Sequence, residues 1–320
     1  MPGEGSSPKP QLSRRIKWRV EDALFGLFAG TMRLLDVETA SNFGAWVLSR
    51  LGPRTGTEKT VQRNLRLAFP KLSDDARRDL SVRHWAELGR LVAEFSLMDR
   101  ITVENGRIVV EGMERLHAIR DSGGPSVMVS GHFSNWEAMA AAIVASGAPT
   151  QITYRAANNP LIDRRIIDSR AAYGVKLFAP KGGDGARDLM AGMKRGLSVA
   201  LLNDQKFSEG PEVSFFGHPA NTATGPSRLA QRFGCVIQPI TVERIGPARL
   251  KVVIHPTLTV PDTGDRAADV VASTQAITDL IEGQIRARPW EWFWTHKRWP
   301  PAVYATLASD VSVERRNGPA

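Results

Sequence analysis

The chain has 320 residues, 42% of them hydrophobic and 23% charged, which excludes wholesale disorder and allows one large α/β domain or two small ones. Its 42 Lys and Arg outweigh 33 Asp and Glu, and the net charge of +9 favours a polyanionic partner: nucleic acid, an anionic lipid surface or an acidic carrier protein. A single cysteine, Cys235, excludes intrachain disulfides and multi-cysteine zinc sites.

Residues 1–13 are rich in Gly, Ser and Pro and read as a disordered tail. From Ile16 onward, apolar residues recur near helical spacing at Val20, Leu24, Leu27, Phe28, Leu34 and Leu35, flanked by Trp18 and by Arg14, Arg15, Lys17 and Arg19. An amphipathic helix of this kind suits the plane of a lipid interface, and packing on its own domain is the competing account. The same cations before the apolar run 23–30 imitate a secretory signal, but Glu21 and Asp22 interrupt it. No segment reaches the roughly 18 uninterrupted apolar residues of a spanning helix. Phe43, Trp46, Val47 and Leu51 continue the apolar theme, and 73–98 reads as a long helix opened by Ser73, Asp74 and Asp75. The stretch 14–100 is therefore expected to be helical and membrane-associating.

Beyond residue 100 the pattern changes. Short apolar runs at 107–110, 126–130, 151–154, 175–178, 198–202, 236–242 and 250–255 read as strands, with helices over 136–145, 160–173, 184–195 and 226–233. This alternation predicts an α/β domain over 101–308, a mixed sheet covered by helices, followed by a flexible tail at 309–320.

The segment Val127-Met128-Val129-Ser130-Gly131-His132-Phe133-Ser134-Asn135-Trp136-Glu137 runs from a buried strand through a turn into a helix. Strand ends of open α/β sheets face the ligand crevice, which places His132 at a site. His132 and Glu137 are five positions apart and do not share a helix face, so the imidazole is expected in the turn with the carboxylate reaching back to it. A neutral imidazole so oriented can take a hydroxyl proton, and amides at the helix start could receive a developing oxyanion. A satisfied structural histidine is the plain alternative for such a pair.

The full box Gly131-His132-Phe133-Ser134-Asn135-Trp136-Glu137 resembles the His-four-residues-acid box of lysophospholipid and lipid A acyltransferases. The resemblance continues in order through Tyr154-Arg155 with Asn159-Pro160-Leu161-Ile162, Pro180-Lys181-Gly182-Gly183 with Arg187, Asp204-Gln205-Lys206, Phe215-Phe216-Gly217, and Thr222-Ala223-Thr224-Gly225-Pro226. It closes on Arg288-Pro289-Trp290-Glu291-Trp292-Phe293-Trp294-Thr295-His296-Lys297-Arg298-Trp299. These blocks span most of the chain and make it similar to the late, or secondary, lipid A acyltransferases of the lauroyl and myristoyl type. The resemblance implies a glycerolipid acyltransferase-like fold that moves a fatty acyl chain from acyl carrier protein to a hydroxyl of a lipid A precursor. It also implies a site on the cytoplasmic side of the inner membrane, against its anionic surface. Lys206 stands where many relatives have an acidic residue, and Lys297 replaces a common Arg, which bears on donor and acceptor preference.

His132 and Glu137 are thus the catalytic candidates, and Asn135, Arg155, Arg170, Lys181, Arg187, Asp204 and Gln205 the substrate-binding ones. Guanidinium forks match phosphate oxygens, although each arginine could equally sit on a solvated face. Lys181-Gly182-Gly183-Asp184-Gly185 lacks a nucleotide-loop ending. Asp204, at a strand end, reads as structural or acceptor-binding. Trp18, Leu24, Phe28, Arg298 and Trp299 are the expected membrane contacts, with core packing the alternative for part of the tryptophan-rich tail. No metal or organic cofactor is expected, because a thioester is already activated. No nucleic-acid module appears, and no Gly-x-Ser-x-Gly elbow for a serine hydrolase. Within acyl transfer, acyl-CoA is the alternative donor, and a lysophospholipid or a glycolipid such as a phosphatidylinositol mannoside the alternative acceptor.

Overall fold

The computed structural model describes residues 12–176, 178–180 and 183–307. The expected tails at 1–13 and 309–320 lie outside them, except that Leu12 and Ser13 open the first helix. Four α-helices come first: α1 (Leu12–Arg33), α2 (Val37–Leu51), α3 (Glu58–Ala68) and α4 (Asp74–Phe95). Side-chain caps start two of them, Asp36 accepting from the amide of Thr39 and Ser73 from that of Ala76. Helices α2 and α4 cross backbone to backbone, because a Cβ on Gly44 or on Gly89 would run into the carbonyl of the other.

The α/β part follows in the order β1 (Ile108–Glu111), α5 (Met113–Ser122), β2 (Val127–Ser130), α6 (Glu137–Ser146), β3 (Thr150–Tyr154), α7 (Pro160–Ala172), β4 (Phe178–Pro180), α8 (Gly183–Lys194) and β5 (Ser198–Leu202). Next come β6 (Glu212–Phe215), β7 (His218–Asn221), α9 (Gly225–Phe233), β8 (Ile237–Gly246), β9 (Arg249–Ile254) and α10 (Arg266–Ala287). Seven strands form one sheet in the order β1-β9-β8-β2-β5-β3-β4. All pairs are parallel except β8 with β9, so the α/β sheet that the alternation predicted is, as expected, a mixed one. Strand β2 lies inside the sheet and every residue from Val127 to Ser130 is buried, the uninterrupted pattern of a strand covered on both faces.

Two departures from the sequence reading have local causes. The strand expected at 175–178 begins only at Phe178, because Gly174 and Val175 turn back to bond the carbonyls of Ala171 and Arg170 and so close α7. Strands β6 and β7 form a separate hairpin whose turn residues, Phe216 and Gly217, both have positive φ, the conformation that tight two-residue hairpins require.

The helical part is fastened to the sheet by buried charge. Glu94 of α4, fully buried, accepts from both terminal nitrogens of Arg244 on β8 (2.6 and 3.0 Å), from Ser41 of α2 (2.6 Å) and from Asn135 of the turn after β2 (3.0 Å). Burial alone would raise the Glu94 carboxyl, but Arg244, together with Ser41 and Asn135, holds it below the ordinary value. One carboxylate thereby ties two helices, the central sheet and the turn that carries His132.

Candidate active site

Parallel pairing brings the chemistry together. Strands β2 and β5 are neighbours with Ser130 opposite Leu202, so the residues that follow each strand emerge at the same edge of the sheet. Past β2 comes His132, and past β5 comes Asp204. The two carboxylate oxygens of Asp204 divide their work: Oδ1 lies 2.6 Å from His132 Nδ1, while Oδ2 accepts from the His132 backbone amide and from Trp292 Nε1, each at 2.7 Å. The Asp204 side chain is wholly buried. Burial would push its carboxyl up, yet the His132 ring and amide outweigh that and hold it well below the usual carboxylate range. An ionised carboxylate at Nδ1 requires a proton there, so in the neutral ring Nε2 keeps its lone pair, the form that accepts a proton from a hydroxyl. Trp136 meets the imidazole edge-on at 4.9 Å between centroids, and Phe293 and His296 lie 5.9 and 6.4 Å away.

The expectation that Glu137 orients His132 is corrected by this geometry. Glu137 opens α6 and is gripped by Arg170 of α7, whose Nε and Nη2 donate at 2.8 and 2.7 Å, and by the Tyr173 hydroxyl at 2.6 Å. Burial alone would raise the Glu137 carboxyl, but Arg170 lowers it, so the pair is ionic within the fold. The reason is directional: the turn bends at Ser134, whose φ of 45° is left-handed and whose amide donates to Glu291 O at 2.7 Å. That bend leads into α6 with Glu137 facing α7, while β5 supplies a carboxylate already at the height of His132.

His132 and Gln205 stand on the wall of a cavity of about 340 Å³ between the sheet and helices α6 and α7. Ile152 and Ala200, register partners on β3 and β5, line its sheet side, and Met139 and Ala140 of α6 and Ile166 of α7 line its helix side. The wall also carries Arg155, Arg170 and Glu137, so apolar side chains and convergent polar groups share it, the usual make-up of a small-molecule site. Gln205 Nε2 faces His132 Nε2 at 3.4 Å.

The other sequence candidates divide. Arg155 is exposed on the cavity wall, and Arg170 lines it while committed to Glu137. Asn135 is completely buried; its amide donates to Glu94 and its carbonyl caps the amide of Glu137, so it positions the turn and does not face a ligand. Arg187 is exposed on α8 and is not among the residues lining the cavity; α8 covers the Gln151 face of β3, whereas the cavity is on the Ile152 face. Lys181 lies outside the described residues.

Among the expected membrane contacts, Leu24 is exposed, Trp18 is half-buried under Arg14, and Phe28 is half-buried against the core. Arg298 and Trp299 are corrected outright, each 1% exposed. The Arg298 guanidinium bonds Asn221 O (3.0 Å) and Thr222 Oγ1 (2.6 Å) and stacks on Phe215, and the Trp299 indole donates to Phe215 O. The aromatic tail packs inward because the β6–β7 hairpin offers it both a carbonyl edge and an aromatic face. Sequence reasoning also missed Trp292, whose only signal was its place in the aromatic tail, and Tyr173, for which the sequence offered no signal.

The known proteins to which this chain is similar are named as acyltransferases. Residues 23–300 match the family model for bacterial lipid A biosynthesis acyltransferases. A phosphatidylinositol mannoside acyltransferase of Mycolicibacterium smegmatis is 25% identical over 284 residues, covering 86% of each chain. The lipid A biosynthesis lauroyltransferase of Escherichia coli K12 is 24% identical over 250 residues, covering 75% of this chain and 78% of its own. The crystal structure of a 1-acyl-sn-glycerophosphate acyltransferase from Thermotoga maritima aligns over 86% of this chain and 99% of that one, with 13% identity and a TM-score of 0.37.

Proposed function

The chain belongs to the bacterial lipid A biosynthesis acyltransferase family and is an acyltransferase acting on a lipid, and from that premise we propose that it moves a fatty acyl chain from acyl carrier protein to a hydroxyl of a lipid A precursor, with His132 as general base. The observation that carries the mechanism is His132 Nε2, its other nitrogen held by buried Asp204, at the wall of a cavity that carries both apolar and polar side chains. In this reading the acyl chain lies against Ile152 and Ala200, and the acceptor hydroxyl gives its proton to Nε2 as it attacks the thioester carbonyl. Asp204 fixes the tautomer and stabilises the imidazolium. Arg155 at the rim is suited to a phosphate of donor or acceptor. Glu137 and Arg170 hold α7 as a wall of the cavity. Ser134 is buried and its hydroxyl has no hydrogen-bond partner, so a direct transfer without an acyl-serine is favoured.

The work would be done at the cytoplasmic face of the inner membrane. No helix among the described residues is long and apolar enough to cross a membrane. Helix α1, however, exposes Leu12, Ile16, Val20, Leu24 and Leu27 along one stripe beside Arg14, Arg15, Lys17 and Arg19, a composition suited to lying on an anionic bilayer. A second reading is an acyl-CoA-dependent transfer to a lysophospholipid or a phosphatidylinositol mannoside, the last acceptor being the one that the names of the mycobacterial relatives, at 25% and 26% identity, favour. Mass spectrometry of lipid A from cells with and without the gene decides the acceptor: loss of one secondary acyl chain is expected. Purified protein offered acyl carrier protein and CoA thioesters of one chain length then decides the donor.

A further inference from the structure

The base is accounted for, but the negative charge that forms on the thioester oxygen also needs a donor. Most of the amides of the turn, which the sequence suggested for this task, are already spent. His132 N donates to Asp204, Phe133 N to Gly131 O, Ser134 N to Glu291 O and Glu137 N to Asn135 Oδ1. Ala138 N and Met139 N donate to the carbonyls of Asn135 and Trp136. Asn135 itself is sealed from solvent.

From the side chains we infer that Gln205 is the oxyanion donor of the transfer reaction, an inference that rests on the acyl-transfer reading above. Its carboxamide nitrogen lies 3.4 Å from His132 Nε2, on the wall of the same cavity. Because Nδ1 carries its proton toward Asp204, Nε2 is an acceptor, and the Gln205 group facing it must be the N–H end. At 3.4 Å that contact is long and weak, so an incoming hydroxyl can displace it from Nε2. The freed N–H then stands beside the nitrogen at which the hydroxyl is activated, free to donate to the carbonyl oxygen. Gln205 is exposed and follows Asp204 directly, so the residue that anchors the base also fixes the start of the donor side chain.

The step balances without any further reactant. The acceptor O–H proton passes to His132 Nε2 and the oxygen bonds to the thioester carbon. The carbonyl π pair moves onto oxygen, where it accepts from Gln205 Nε2–H. The carbonyl re-forms, the C–S bond breaks, and the departing thiolate takes the proton back from His132 Nε2. The donor thus acts on a charge absent from the ground state, which sets its kinetic signature.

The full-length protein carrying Gln205→Ala or Gln205→Glu is assayed against wild type with an acyl thioester and a lipid hydroxyl acceptor. Gln205→Glu keeps size and polarity while removing the donor. Both variants should lower kcat about 100-fold or more with the thioester KM within about threefold, as loss of an oxyanion donor does. Affinity for an acyl phosphonate, which carries a charged oxygen in the tetrahedral position, should fall in parallel, while an unreactive acyl thioether binds as before. An unchanged kcat, a loss confined to KM, or a phosphonate penalty that appears in Arg155→Ala and not in the Gln205 variants would overturn the inference. Failure of the underlying reading is seen separately, as wild-type protein that turns over no acyl thioester, and would overturn both.

Discussion

Asp204 Oδ1 lies 2.6 Å from His132 Nδ1 across 72 positions of sequence. Two backbone facts produce the contact: β2 and β5 are adjacent and parallel, and each ends within two residues of its functional side chain. The carboxylate is further clamped by the His132 amide and the Trp292 indole, so the ring is held by a group that cannot itself swing. Orientation of the base is therefore a property of the sheet.

Asp204→Asn tests that dependence. The amide keeps shape and can still accept from the Trp292 indole, but a neutral group neither enforces the proton on Nδ1 nor stabilises the imidazolium. In catalytic triads the equivalent change costs roughly 10⁴ in kcat, and a loss of about 10²–10⁴ is expected here with native circular dichroism. A variant retaining more than a tenth of wild-type kcat would show that His132 needs no carboxylate.

Glu137 and Arg170 are expected to behave as a structural pair. Breaking a buried ion pair from one side typically costs about 3–5 kcal/mol, so Glu137→Gln and Arg170→Gln should each lower the urea midpoint strongly. The double variant, which leaves no uncompensated charge, should recover a large part of that loss and of the activity lost with it. Stability restored without activity would return Glu137 to a chemical role.

Much of the architecture was legible in the sequence. Six of the seven anticipated strands lie close to their expected positions, because uninterrupted apolar runs such as Val127–Val129 are what a doubly covered strand demands. The turn holding His132 was legible for the same reason. Its partner was not, since periodicity reports which residues are buried and not which strands are neighbours; Asp204 could be placed at a strand end but not beside β2. The tail misled for a related reason. Tryptophans mixed with cations have the composition of a membrane interface, and only the β6–β7 hairpin, whose turn sits at Phe216-Gly217, converts that composition into core.

The lipid-facing surface is therefore expected on α1 and not on the tail. Val20 and Leu24 are 53% and 62% exposed on one stripe, so Val20→Asp combined with Leu24→Asp should move the protein from sedimented anionic vesicles to the supernatant while leaving its thermal midpoint nearly unchanged. Trp299→Ala should do the reverse, costing about 3–5 kcal/mol of stability without altering vesicle affinity of the folded fraction. Undiminished sedimentation of the α1 variant would remove that helix from the interface.

Acid stability should report two buried imidazoles. Burial lowers His84 from 6.5 to about 3 and His296 from 6.5 to about 4. The unfolded chain takes up protons on both as pH falls below about 6.5, while the native protein does not until much lower, so unfolding becomes progressively easier. Their contribution is therefore complete above pH 6.5 and is lost as pH falls toward 4, at a rate approaching about 1.4 kcal/mol per pH unit for each imidazole. His255, also lowered by burial, adds in the same direction. The buried carboxylates Glu94, Glu137 and Asp204 have ordinary values near 4, so they enter mainly at the acid end of this window. Urea midpoints measured at pH 7.0, 6.0 and 5.0 should fall in sequence. His84→Gln, which can still donate toward the Trp290 and Trp292 carbonyls but binds no proton, should flatten the slope by up to one proton's worth. A slope identical to wild type would mean that His84 is protonated in the native fold, and its burial against the tail would have to be reconsidered.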